Sequence, residues 1–358
     1  MTLESGQRLP GLRWSHYQIN QLKSGEKYSP LYAGSKILFN HRYDEQEFYE
    51  VESDEWLPVW IRTTLPSKTN DADETQSRIK LLRYEMDAVL TAGSPWTPEP
   101  LDWLEYPQEK PAEPTAETSP APEFPPAALV FSQMRGEPLS QAITEWPEDS
   151  LMRVRFLTEW LNFLDFLHSR NQCLGAISPD EILVDRSGHF QLLATDRILP
   201  ISQTEHLRWF FPPDRYPAAY AAPEIQDTQS GFSPACDLYN WACLALLVFG
   251  GINLSERSSL VQEPLSSEEL KKLTEQLQKL TSRYMAAMKT FAPGRFGQSE
   301  QLVVEIWKTA IQDALKLKPQ DRPSSVNELR NVPVAGLTVQ KMAERVKSWF
   351  RPVERRPE

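Results

Sequence analysis

The apolar pattern of this chain changes period along its length, and that change limits what it can fold into. From Phe48 to Glu52 apolar and acidic residues alternate, the two-residue period of a half-buried strand. Ser53-Asp54-Glu55 offers a turn and Leu57 to Ile61 resumes a strand, so this stretch is expected to form a β-hairpin. Residues 76–92 read instead as a helix, with Ile79, Leu82, Met86 and Leu90 at three- and four-residue spacing on one face. Leu157, Leu161, Leu164 and Leu167 make a second helical row, thickened by Trp160, Phe163 and Phe166. Short strands are expected around 182–184 and 190–193, joined by the turn Asp185-Arg186-Ser187-Gly188. A hydrophobic helix at 236–250 and further helices to about Arg330 follow. A strand-rich first third before a helical remainder implies an α+β protein with two unequal lobes.

Charge and composition narrow the function classes. Lys plus Arg total 38 against 49 Asp plus Glu, a net charge of −11, which argues against nucleic acid as a partner because phosphate binding needs a positive field. Cys173, Cys236 and Cys243 form no C-x-x-C pair, and His16, His41, His168, His189 and His206 are dispersed. No metal site and no disulfide framework are therefore expected, and the scattered cysteines suggest a reducing compartment. The start lacks a basic and apolar leader, and the apolar run Trp241 to Leu254 is shorter than the roughly twenty residues of a membrane span. A cytoplasmic protein is the expectation.

Ile177-Ser178-Pro179-Asp180-Glu181-Ile182-Leu183-Val184-Asp185 is more specific. It resembles the catalytic loop of the protein kinase superfamily (Ser/Thr kinase-like), H-R-D-I-K-P-E-N-I-L-V. Other segments resemble that family in the same order. Val59-Trp60-Ile61-Arg62 is similar to V-A-I-K, and Glu85 falls where the family's first long helix carries a glutamate. Leu129 to Met134 resembles the strand leading to the hinge, with Phe131 at the gatekeeper. Leu167-His168 resembles a helix end before the catalytic loop, and Ala222-Pro223-Glu224 matches A-P-E. Ser233 to Tyr239 resembles the start of a buried C-lobe helix, and Asp321-Arg322-Pro323 a late R-P-S segment. The resemblance covers about residues 34–332. It implies a bilobal kinase-like fold: an N-terminal extension at 1–33, an N-lobe at 34–134 with a Pro-rich insertion at about 107–126, a C-lobe at 135–332, and a basic tail at 333–358.

The residues that the family uses for chemistry are replaced. Where H-R-D supplies a carboxylate to orient the substrate hydroxyl, this chain has Leu174-Gly175-Ala176, and a methyl group accepts no proton. Ser178 replaces the lysine, Glu181 the metal-binding asparagine, and Ala194 the principal metal carboxylate. Arg62 replaces the strand lysine with a bulkier planar head. Two alignments of the glycine-rich loop are open. One ends it at Tyr49, after a glycine-free His41 to Phe48, and is preferred because the spacing to Val59 suits a hairpin. The other uses Leu22 to Ser29, with Gly25 alone, and a long insertion before Val59. The resemblance thus implies a degenerate kinase homologue, a pseudokinase, with a vestigial cleft of Arg62, Glu85, Phe131 and Met134 in which no cofactor is expected. Its retained anchors are Glu224 paired with Arg322, and Asp237 holding the catalytic-loop backbone.

Several features carry both a functional and a plain reading. Asp180, Glu181 and Asp196 are an improvised metal site or solvated loop acids. Arg62 and Glu85 mark a nucleotide pocket or a solvent-facing, lobe-bridging ion pair. Trp209, Phe210 and Phe211 form a docking patch or a plug. The segment 107–126, part of a stretch with ten prolines between Ser94 and Pro126, is a polyproline ligand or an exposed insertion. Residues 338–350 read as an amphipathic helix bearing Val339, Met342, Val346, Trp349 and Phe350, followed by Arg351, Arg355 and Arg356. That tail docks an acidic protein or membrane surface, or packs on its own C-lobe. The functional expectation is a scaffold or assembly factor with protein partners. A nucleotide-binding allosteric switch and an atypical phosphoryl or nucleotidyl transferase are the alternatives.

Overall fold

In the computed structural model, the residues described are 4–10, 16–24, 31–44, 47–64, 72–93, 95–106, 125–147, 151–201, 216–226, 232–254, 267–291 and 300–331. The chain mixes helices and strands and divides into two compact units, one ending at Arg135 and one beginning at Gly136.

Unit 1 is built on strands β1 (Arg8–Pro10), β2 (His16–Ser24), β3 (Leu31–Asp44) and β4 (Glu47–Thr63), helix α1 (Ala72–Ala92), and strands β5 (Pro100–Glu105) and β6 (Ala127–Ser132). These strands form one antiparallel sheet in the order β1-β2-β3-β4-β6-β5. Its two ends meet. Tyr17 on β2 donates its hydroxyl to Asp102 on β5 at 2.8 Å, and Tyr106, just past β5, donates to the Pro10 carbonyl at 2.8 Å. The sheet is therefore curled nearly into a barrel, which satisfies both phenols while Leu9, Ile19, Tyr32, Ile61 and Val130 fill the interior. Burial, and then the nearby Asp102 charge, raise the Tyr106 pKa far above the ordinary phenol value, so this hydroxyl remains a donor.

Strand β6 explains why Ala127 to Phe131 is apolar throughout. Ala128 and Val130 face the interior of the curl, while Ala127, Leu129 and Phe131 pack against Ile79, Leu82 and Val89 of α1.

Three expectations are corrected in this unit. Residues 1–33 are not an extension outside the sheet: β1, β2 and the start of β3 belong to it, and Leu9, Tyr17, Ile19, Leu31 and Tyr32 are buried. The hairpin expected over 48–61 is a single strand. Ser53 to Glu55 falls in a register shift between the pairs Ile37–Trp56 and Phe39–Glu52, and the partner of β4 is β3. On α1, Leu90 is exposed and Val89 takes the buried place. The inward arc is rotated because it also contains Glu85, whose charge is neutralised internally.

Unit 2 begins with β7 (Glu137–Pro138), α2 (Leu139–Glu145) and α3 (Leu151–Ser169). Strands β8 (Gln172–Cys173), β9 (Ile182–Val184), β10 (Phe190–Leu192) and β11 (Leu199–Pro200) pair as β10-β9-β7 and β11-β8. Helices α4 (Pro223–Gln226), α5 (Pro234–Gly250), α6 (Ser267–Phe291), α7 (Glu300–Ala314) and α8 (Val326–Arg330) follow. Helix α5 is buried from Ala235 to Gly250, as expected of a helix that is apolar but for Asp237 and Asn240 in its first turns. Trp160 and Phe163 of α3 meet Phe190 of β10 at ring-centroid distances of 4.8 and 5.6 Å, which fixes the β9–β10 hairpin on the helix. Among the described residues, no helix is long and apolar enough to cross a membrane.

Candidate functional site

The loop Leu174 to Glu181 is held from below by α5. Asp237, in the first turn of that helix, accepts hydrogen bonds from the Leu174 amide at 3.0 Å and the Gly175 amide at 2.7 Å. His168 Nε2, at the end of α3, lies 2.8 Å from the other Asp237 oxygen. One turn further along α5, Asn240 donates to the Ile177 carbonyl at 2.9 Å and the Tyr220 carbonyl at 3.2 Å. Asp237 and Asn240 share a helix face at i, i+3 spacing, so one rigid helix fixes the first half of the loop, from Leu174 to Ile177. Gly175 adopts φ +79°, and a Cβ there would sit 2.9 Å from the Phe232 ring. Glycine is required there by both backbone and neighbour.

The loop's second half closes on itself. Ser178 donates its amide to Glu181 Oε2 at 2.8 Å and its hydroxyl to the same oxygen at 2.9 Å, a capping box around the 3-10 turn Pro179–Glu181. Glu181 Oε1 pairs with the Arg197 guanidinium, which also donates to the Ala176 carbonyl at 2.8 Å. Asp180 accepts from the Ser140 hydroxyl. The methyls of Ala176 and Ala194 are buried.

Of the acids weighed as an improvised metal site, Glu181 is tied to Ser178 and Arg197, and Asp180 to Ser140. Among the described residues, no cluster of three or more His, Cys, Asp or Glu is arranged to hold a metal ion. Cys173, next to the loop, is no thiolate: burial and then the Asp237 charge push its pKa well above the usual thiol value.

Glu224, at the start of α4, meets Arg322 in a bidentate pair at 2.6 and 2.9 Å. The same guanidinium donates to the carbonyls of Lys316, Leu317 and Ala235 and lies over the Tyr239 ring. The Cys236 thiol donates to Glu224 at 3.2 Å.

In unit 1, Arg62 Nε lies 2.8 Å from Glu85 Oε1, and both side chains are only 2% exposed. This corrects the expectation of a solvent-facing, lobe-bridging pair, since both residues belong to unit 1 and join β4 to α1. Phe131 is buried in the cluster beneath α1, and Met134 is buried just beyond β6.

The hairpin behind the preferred glycine-loop alignment is not found. Tyr49 lies inside β4, paired with Arg42 on β3, so the hairpin spacing that favoured it is absent. Residues 25–30, the segment 107–124, Trp209 to Phe211, and the tail with Trp349 and Phe350 lie outside the described residues.

Arg197 and Asn240 are the site residues that the sequence reading passed over. Asn240 had a signal, its i, i+3 relation to Asp237. Arg197 had none beyond its charge in an apolar stretch. The scan against protein-family models finds no match, and no curated protein matches the chain.

Proposed function

We propose that this chain is a protein-kinase-like pseudokinase that works through its surface as a scaffold or assembly factor, without phosphoryl transfer. In this reading unit 1 corresponds to the small lobe and unit 2 to the large one. The observation that carries it is the loop at 174–181. Asp237 accepts from the Leu174 and Gly175 amides and Asn240 donates to the Ile177 carbonyl, which holds its backbone, yet the position where a general base belongs carries only the buried methyl of Ala176. Phosphoryl transfer depends on positioned charge, so losing the base together with the metal carboxylate at Ala194 removes the reaction rather than slowing it by a step. The buried Glu224–Arg322 pair supports the same reading, because it braces the unit independently of any ligand.

The partners in this reading are proteins in the cytoplasm, with the basic tail and the Trp209 to Phe211 run as candidate contacts, and neither nucleic acid nor a cofactor has a role. The test is incubation of the full chain with labelled ATP, Mg²⁺ and Mn²⁺ and generic acceptors. No incorporation is expected. Incorporation that Glu181→Ala abolishes would overturn the reading in favour of rerouted transferase chemistry.

A further inference from the structure

Arg197 is the cation around which the second half of the loop is organised. Its guanidinium touches two oxygens of different kinds, the Ala176 carbonyl and Glu181 Oε1, and lies 5.6 Å from the centre of the Tyr216 ring. Its side chain is 11% exposed and that of Glu181 18%. The other Glu181 oxygen is already taken by the Ser178 amide and hydroxyl. A carboxylate and a carbonyl are also two of the oxygen donor types that ligate divalent cations, the rest of whose shell water can supply.

We propose that Arg197 is a built-in replacement for a divalent cation, and that its charge excludes Mg²⁺ or Mn²⁺ from the Glu181 position. The identification of Glu181 as the metal position rests on the pseudokinase reading; the exclusion follows from the geometry. A metal ion entering beside Glu181 must displace the guanidinium from both oxygens. That leaves Arg197 buried without its counter-charge, and breaking a buried pair from one side is costly. The ion must also shed water to reach a site that already contains a positive charge. Arginine suits this role better than lysine, because its planar fork reaches the carbonyl and the carboxylate at the same time.

The test uses the full chain and Mn²⁺ alone as probe, read by thermal unfolding. The wild-type protein is expected to show no Mn²⁺-dependent change. Arg197→Met removes the charge while keeping an apolar stem, and its Tm is expected to rise by about 2–4 °C at Mn²⁺ several-fold above its Kd. Adding Glu181→Gln to that variant is expected to abolish the rise. A folded Arg197→Met protein indifferent to Mn²⁺ would overturn the inference while leaving the absence of phosphoryl transfer standing. A wild-type response that Glu181→Gln removes would also overturn it. If Arg197→Met does not fold, Arg197→Lys decides: the retained charge must keep the protein silent to Mn²⁺, and a response would show that charge exclusion is not what closes the site.

Discussion

Arg322 and Glu224 are 98 residues apart in sequence and meet through two parallel hydrogen bonds inside unit 2. The guanidinium also reaches three backbone carbonyls, at Lys316, Leu317 and Ala235. One side chain thus ties α4, the start of α5 and the chain leading to Pro319 into one piece. The pair is buried, so its value lies less in attraction than in the cost of leaving either charge alone.

Arg322→Ala is accordingly expected to destabilise the protein by about 3–5 kcal/mol, because Glu224 is left buried without its counter-charge. Lys271→Ala provides the contrast. Its partner Glu275 is 3.9 Å away at i, i+4 with both side chains largely exposed, and the expected loss is about 0.5 kcal/mol or less. Denaturant unfolding of the two variants measures the difference, and equal losses would contradict the burial argument.

Gly175 and Gly188 separate backbone strain from steric conflict. Both have positive φ, +79° and +82°, so an alanine at either costs about 1–2 kcal/mol from the backbone alone. At Gly188 the nearest atom to the added Cβ is 3.6 Å away, whereas at Gly175 the Phe232 ring is at 2.9 Å. Gly175→Ala is therefore expected to lose clearly more stability than Gly188→Ala, measured by the same unfolding experiment.

The turn closed by Asp185 makes stability depend on acid. Partial burial pushes its carboxyl up, but hydrogen bonds from the Ser187 hydroxyl and amide and from the His189 amide outweigh this, and the pKa lies below the usual value. A depressed carboxyl contributes stability above its unfolded pKa of about 3.9, and that contribution is lost as pH falls through the folded value. Asp185→Asn is expected to lower the unfolding midpoint at pH 7, with the gap to wild type closing in strong acid. A gap that stays constant with pH would mean that the carboxylate charge contributes nothing.

What was legible in the sequence followed from local pattern. The α3 row, the α5 helix and the β9–β10 hairpin have apolar periods that match their burial, and Glu224, Asp237 and Arg322 lie in segments singled out by the kinase-like resemblance. What stayed hidden depended on distant contacts. Residues 1–33 read as an extension because the resemblance begins at about residue 34, whereas Leu9 and Tyr17 are buried where the sheet curls until β2 meets β5 through Asp102. Ser53-Asp54-Glu55 has turn composition, but the long β3 pairs across it and makes it an irregularity within a strand. Glu85 reads from the sequence as half of a solvent-facing ion pair, although the face of α1 that it shares with Leu82 and Val89 is the buried one.

That last point sets the strongest test in unit 1. Arg62 and Glu85 are both buried at 2.8 Å, so a single truncation strands a charge among Ile79, Leu82 and Leu129, whereas an exposed pair would lose about 0–1 kcal/mol. Arg62→Ala is expected to cost about 3 kcal/mol or more, comparable with Arg322→Ala. Replacing both residues together by apolar side chains of similar volume, Arg62→Met with Glu85→Leu, is expected to recover most of that loss, because neither charge is then left unpaired. Denaturant unfolding of Arg62→Met, Glu85→Leu and the double variant gives the coupling directly. Additive losses would show that the two side chains do not compensate each other, and that β4 and α1 are held by their apolar contacts alone.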